Sequence, residues 1–293
     1  MNLFFAYDYP LSGTESVLMA MAEALRAKGH FVTTQTIGKN FDAAALDMSL
    51  SSFDVAHFWN KRSFDPFAKA IRIPYGFTSH GFGGSGDVQK YTQSHYIDYF
   101  KCANPYWMHT MDTFTLQILG REGLHSFWTP QCITHEPFYR LPKPKEMTLG
   151  CIGADADGFK RHKMIKEAAK QLKIPFIEYD SSYELVDKQG VINLYEQMAI
   201  FVNAIFGACG PVPPQEALLC GRPVVSTRID TMVSVIQEGI NGEFFDGSMP
   251  DLVKKVEIVF NQYDKYYEGT HKTILLSANE AADRFIAGIE NNL

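Results

Sequence analysis

Short apolar runs alternate along this chain with longer amphipathic stretches, and each pair reads as a strand followed by a helix. "MNLFFAY" opens as a strand, and the loop "DYPLSGTES" follows. In "SVLMAMAEALRAKGH" the residues Val17, Met21, Ala24 and Leu25 share one helical face, and Gly29 ends the helix. "FVTTQTIG" is the next strand. It completes a strand–helix–strand unit and predicts a parallel sheet covered by helices on both faces. "FDVAHFWN" and "IPYGFTSHG" are further strands, each ending in polar residues at the carboxyl edge of the sheet. Open α/β sheets bind ligands at that edge.

The pattern breaks at "HEPFYRLPKPKEM", whose prolines and charges predict an exposed linker. A second series then begins. "TLGCIG" is a strand, and "KRHKMIKEAAKQL" is a helix with Met164, Ile165, Ala168 and Leu172 as its apolar stripe. "PFIEYD", "AIFVNAI" and "RPVVST" are strands, and "LLSANEAADRFIAGIENNL" is helical. The expected architecture is two α/β domains in tandem, residues 1–141 and 142–293, with a ligand-sized cleft between them. The last helix is compatible with packing back on the first domain.

Composition narrows the function classes. The formal charge is −6, with 11 Lys+Arg against 12 Asp+Glu up to Leu141 and 16 against 21 beyond it. Neither half is a basic footprint, which argues against a nucleic-acid partner. No window approaches the roughly 20 apolar residues of a membrane span, and the N-terminus lacks the basic flank and cleavage pattern of a signal peptide. The 5 cysteines are scattered and form no CxxC pair, so a reducing cytoplasm is the expected setting. With no His/Cys ligand spacing, neither a metal nor another cofactor is expected.

The candidate chemistry centres on "GPVPPQEALLCGRPVVST", residues 210–227. Glu216 reads as standing immediately ahead of an apolar helix that Gly221 ends. One reading makes it a helix-start acid paired with the dipole. The other gives it a functional role. Lys160 and Arg161 stand at a helix start, where cations oppose the macrodipole. They are either a solvated helix start or part of an anion site. His80, at the end of "GFTSH", is either hydrogen-bonded at a strand end or a cleft residue, whereas His57 reads as structural.

The same stretch, continued through "RIDTMVSVIQEGINGEFFD", resembles the donor-binding signature of retaining nucleotide-sugar glycosyltransferases of the GT-B fold (glycosyltransferase family 4-like, glycosyl transferases group 1). The likeness runs through Pro213, Glu216, Ala217, Cys220, Gly221, Pro223, Val224, Val225, Gly239, Asn241 and Gly242. It implies an α/β fold of two Rossmann-like domains whose parallel sheets face each other across a cleft. It also implies that Glu216 accepts hydrogen bonds from the ribose hydroxyls of a nucleotide sugar, a UDP-sugar by preference. The carboxylate, held by stiff backbone, is then a two-point acceptor for that diol, with helix N–H groups suited to a diphosphate behind it. "LGCIGADADGFKRHKMIKEA" is similar to the opening of the family's second domain, so Lys160 and Arg161 would bind the diphosphate leaving group without a metal. "DYPLSGTES" resembles the family's first loop, with Gly13 and Thr14 beside the donor phosphate. His80 matches the histidine that contacts the donor sugar.

Two departures stand out. The family's first motif glutamate, eight positions before the ribose-binding one, is Ala208 here, and the arginine usual soon after Gly153 is missing from "ADADG". The donor sugar is then unusual, or Cys209 and Gly210 present backbone N–H groups instead, or catalysis is impaired. The resulting expectation is a metal-independent hexosyltransferase acting on an unnamed acceptor: a glycan, a lipid, a small molecule or a modified DNA base. A silent nucleotide-sugar-binding module, a glycosyltransferase of hydroxymethylated DNA and a sugar-nucleotide epimerase remain as alternatives.

Overall fold

The computed structural model of the chain describes residues 1–8, 13–37, 50–59, 64, 71–79, 96–129, 131–132, 138–153, 155, 158–180, 186–205 and 211–293. Its contacts divide the chain into two units, Met1–Ile133 with Leu276–Leu293, and Thr134–Leu275.

The first unit is built on β1 (Asn2–Asp8), β2 (Phe31–Ile37), β3 (Val55–Phe58), β4 (Tyr75–Ser79), β5 (Trp107–Thr110) and β6 (Ser126–Trp128). They form one parallel sheet in the order β2-β1-β3-β4-β5-β6. Leu3, Phe4, Phe5 and Ala6 point alternately to opposite faces and are all fully buried, as a doubly covered sheet requires. α1 (Gly13–Ala27) follows β1 and buries the predicted face Val17, Met21, Ala24 and Leu25. α2 (Thr113–Arg121) follows β5, its N-terminus capped by Asp112, which accepts from the Thr115 N–H at 2.6 Å.

The C-terminal helix, Ala278–Glu290, also belongs to this unit. Ser277 and Glu280 close a capping box at its start. Its Phe285 is fully buried with ring centroids 5.7 Å from Phe5 and 4.9 Å from His57, and Asp283 pairs with Lys28, just after α1, at 2.7 Å. Gly76 on β4 has no side chain because the Trp107 indole fills the space a Cβ would take.

The second unit contains β7 (Leu149–Ile152), α3 (His162–Leu172), β8 (Phe176–Tyr179), α4 (Lys188–Gln197), β9 (Ile200–Asn203), α5 (Val212–Leu219), β10 (Val224–Thr227), β11 (Gly242–Phe245), α6 (Met249–Asn261) and α7 (Tyr263–Gly269). The sheet is parallel in the order β11-β10-β9-β7-β8. α3 and α6 cover one face, with Ile165, Ala168, Leu252 and Val256 packed on Cys151, Val202 and Val225. α4 and α5 cover the other, with Ile192, Tyr195 and Leu218 packed on Ile152, Phe201 and Val224.

The segment expected to be an exposed linker is exposed at Tyr139, Pro142, Lys143, Lys145 and Glu146 but is anchored to this unit from within. Phe138 and Leu141 are buried in its core. The Leu141 carbonyl accepts from the Tyr267 hydroxyl at 2.9 Å, and the Pro142 carbonyl accepts from Arg222 Nη2 at 2.8 Å. Proline and charge density marked the irregular backbone, but the apolar residues between them were free to pack inward. Among the described residues, no helix is long and apolar enough to cross a membrane.

Candidate functional site

The strand order of the second unit places a topological switch point between β7 and β9. These strands are neighbours although β8 separates them in sequence, so their connections leave the carboxyl edge in opposite directions. The crevice so made is where open α/β sheets bind ligands. The β7 connection carries Lys160 and Arg161 into α3. The β9 connection leads into α5 with Pro213 and Glu216.

On the β7 side the chain turns at Gly153, whose φ of +133° suits glycine alone. The Lys160 ammonium lies over this glycine, where a Cβ would collide with it. Burial pushes the Lys160 pKa down, against the opposing pull of Cys151, Asp155 and Asp180. Asp155 caps the start of α3. Its carboxylate accepts from the backbone N–H groups of Lys160, Arg161 (3.1 Å) and His162 (2.9 Å), while its own N–H donates to Asp180 at 3.1 Å. Arg161 adopts the left-handed conformation, φ 58°, just ahead of the helix. An anion offsetting the cations and the dipole therefore already exists within the chain, so that part of the argument for an anionic ligand is met by Asp155. His162, buried, lies 3.0 Å from Glu178 through Nδ1.

On the β9 side Glu216 is not ahead of α5 but inside it, the helix starting at Val212. Pro211 is the N-cap and Pro213 and Pro214 sit in the first turn. Proline has no N–H, so of the N-cap and first three helical positions only Val212 carries a donor. The expected array of helix N–H groups for a diphosphate is thus largely absent from α5. What α5 presents instead is the carboxylate. Glu216 is half-buried, and its Oε2 accepts from the Tyr195 hydroxyl at 2.9 Å. The same hydroxyl lies 2.9 Å from the Pro213 carbonyl. Burial pushes the Glu216 pKa up to about 7, against the lowering effects of the Tyr195 hydrogen bond and the Lys188 charge. Tyr195 is fully buried on α4, and its backbone carbonyl accepts from Arg222 Nε at 2.8 Å.

The structure thus puts Lys160 and Arg161 on one side of the second unit's switch point and Pro213 and Glu216 on the other. Gly13 and Thr14 open α1 after β1, beside the first unit's own switch point between β1 and β3. His80, Ala208, Cys209 and Gly210 lie outside the described residues. His57 is fully buried and hydrogen-bonded within the sheet. Sequence reasoning missed Asp155 and Tyr195. Asp155 caps from five to seven residues upstream rather than from the usual N-cap position. Tyr195 lies within a helix that the sequence analysis did not single out.

Residues 138–262 match the model of the family Glycosyl transferases group 1. The match covers both sides of the switch point just described. No curated protein matches the chain in sequence. Among solved structures, the catalytic domain of starch synthase IV from Arabidopsis thaliana, bound to ADP and acarbose, superposes with a TM-score of 0.77 at 13% identity, covering 99% of each chain. Sucrose-phosphate synthase from Thermosynechococcus elongatus gives 0.73 at 12% identity, covering 97% of this chain and 94% of that one. Anabaena HepE, in complex with UDP and glucose, gives 0.66 at 12% identity, covering 100% of this chain and 99% of that one. At such identities the likeness is one of fold, and the fold is GT-B.

Proposed function

We propose, for a chain whose residues 138–262 match the Glycosyl transferases group 1 model and whose fold is GT-B, that it moves a sugar from a nucleoside diphosphate sugar to an acceptor hydroxyl with retention of anomeric configuration. The donor is a UDP-sugar, a choice supported by the UDP held in HepE. One observation carries this reading: a half-buried carboxylate, Glu216, and a half-buried lysine, Lys160, flank the same switch point.

The two groups divide the work. Glu216 accepts hydrogen bonds from the ribose diol, a task that needs the ionised form. Lys160 and Arg161 stabilise the diphosphate as the glycosidic bond breaks. A desolvated lysine gains most from such a partner, because the ligand's charge replaces the lost hydration. The acceptor hydroxyl attacks the face the diphosphate leaves, and a leaving phosphate oxygen takes its proton. His80 orients the sugar, and Gly13 and Thr14 allow the first loop to approach the phosphates. The four described cysteines, all free, suit a reducing cytoplasm as the setting.

The test is nucleotide release from a panel of UDP-sugars, repeated with Glu216→Ala. Release that depends on an acceptor and drops at least about a hundredfold in the variant supports the reading. Unchanged turnover in the variant removes Glu216 from the site. Ala208, in place of the first motif glutamate, favours a second reading, a silent nucleotide-sugar-binding module. Tight UDP binding with no transfer to any acceptor would select it.

A further inference from the structure

The Glu216 carboxyl group is held by a neighbour on a different helix, and that neighbour is itself fixed at both ends. The Tyr195 ring is fully buried against Phe138 and Phe201. Its backbone carbonyl is tied by Arg222, whose guanidinium also grips the Pro142 carbonyl. Its hydroxyl sits between two acceptors, the Pro213 carbonyl and Glu216 Oε2, each at 2.9 Å. A phenol has one proton to give. With Glu216 ionised the charged oxygen is the better acceptor, so the proton goes to Oε2. Glu216 Oε1 has no partner among the described residues.

Resting on the nucleotide-site reading above, we propose that Tyr195 is the positioning residue for Glu216: its hydroxyl holds Oε2, favours the ionised form and leaves Oε1 to the ribose diol. The ring cannot swing, because core residues surround it, so the carboxylate is aimed before the ligand arrives. Such preorganisation strengthens binding by reducing the ordering cost. The titratable groups facing Glu216 are Tyr195 and Lys188 from α4 and Cys220 at the end of α5. Of these, Tyr195 is the one that donates a hydrogen bond to the carboxylate. UDP binding to the wild-type protein should therefore strengthen with rising pH until Glu216 is ionised, and then level off until the Lys160 ammonium begins to lose its proton.

The experiment follows the Glu216 carboxyl itself and UDP affinity on the same samples. The carboxyl is titrated by NMR of protein carrying 13C at the glutamate side-chain carbonyl, with the signal assigned by Glu216→Gln. UDP affinity is measured by calorimetry from pH 5.5 to 8.5. In Tyr195→Phe the carboxyl midpoint moves up by about one pH unit. UDP affinity at pH 7 falls about fivefold to tenfold and largely recovers by pH 8.5, a pattern that general loosening of the fold does not produce. If Tyr195→Phe does not fold, 3-fluorotyrosine installed at position 195 keeps ring and hydroxyl but makes a stronger donor, and the midpoint moves down. A midpoint that stays put in the folded variant overturns the inference, whatever UDP does. A midpoint that moves while neither protein binds UDP overturns the ribose assignment and with it the part of Tyr195 in binding.

Discussion

Trp107 Nε1 donates to Nδ1 of His57 across 3.2 Å in the buried centre of the first unit's sheet. The indole can only donate, so Nδ1 bears no proton and neutral His57 carries its proton on Nε2. That nitrogen lies 2.7 Å from Thr78 Oγ1, which lies 2.9 Å from His109 Nδ1, and His109 Nε2 lies 2.6 Å from Thr129 Oγ1. The donors therefore run one way: Trp107, His57, Thr78, His109, Thr129. Every member is buried and satisfied, and the chain stitches β3, β4 and β5 to the residue after β6. Trp107→Phe leaves His57 Nδ1 facing an apolar ring and should cost about 1–3 kcal/mol of stability. Urea unfolding measures it. UDP affinity stays native, because these groups serve the scaffold.

On the proposed reading, Glu216 sets stability against binding. Its folded pKa of about 7 lies above the ordinary carboxylate value of 4.5, with burial the main cause. A raised pKa means the folded state holds the proton more tightly than the unfolded state. The stabilising contribution is complete below about 4.5 and is lost as pH rises through about 7. Glu216→Gln never ionises. It should exceed the wild type by about 3 kcal/mol at pH 8 and match it at pH 4.5, and it should lack the rise in UDP affinity that the wild type shows as Glu216 ionises. Melting temperatures across that range check the sign: a variant less stable than wild type at pH 8 sinks the argument.

The strands that sequence reading found are those whose apolar residues run together, such as Phe4-Phe5-Ala6 and Val224-Val225. β5 escaped it because His109 and Thr110 are polar by type yet fully buried. The partners of His109, which are Thr78 and Thr129, lie across the sheet or further along the chain, where hydropathy carries no trace of them, while Thr110 turns back on Asp112. β6 is only 3 residues long. The switch-point residues Lys160 and Glu216 were legible from their motifs. The groups that control them, Asp155 and Tyr195, were not, because each acts through a contact that only the fold creates. The prolines of α5 were legible but misread: stiffness was credited, while the loss of N–H donors went unused.

Glu243 holds the turn "GINGE" in place. Its carboxylate accepts from Lys255 Nζ at 2.8 Å, from the Tyr266 hydroxyl and from the Gly239 N–H at 3.0 Å. Burial pushes its pKa up, but the hydrogen bonds from Lys255 and Tyr266 outweigh this and hold it below the ordinary value. A depressed pKa gives stability that is present above the unfolded value and lost as pH falls through the folded one. Glu243→Gln should therefore cost about 1–2 kcal/mol at pH 7 and progressively less as pH falls below 4. Chemical unfolding at pH 7 and pH 3.5 measures the difference. A penalty of the same size at both values would show that packing, not charge, is what the variant loses.

Gly153 and Lys160 are bound to each other by space. The backbone at Gly153, φ +133°, is one that side-chain-bearing residues avoid, and the ammonium occupies the volume above its α-carbon. Gly153→Ala must both strain the turn and push Lys160 off the end of β7. The strain should cost about 1–3 kcal/mol of stability. The displacement should weaken UDP about tenfold, because the cation no longer meets the diphosphate in a desolvated position. Lys160→Met removes the charge without touching the turn. It should weaken UDP at least as much while leaving the affinity for uridine, which has no phosphates, unchanged. Burial also pushes the Lys160 pKa down, so wild-type UDP affinity should decline on the alkaline side as the ammonium loses its proton, and Lys160→Met should lack that limb. Calorimetry with UDP and uridine from pH 7 to 10 separates these effects. If Gly153→Ala binds UDP as tightly as the wild type, Lys160 has another route to the ligand or no part in holding it.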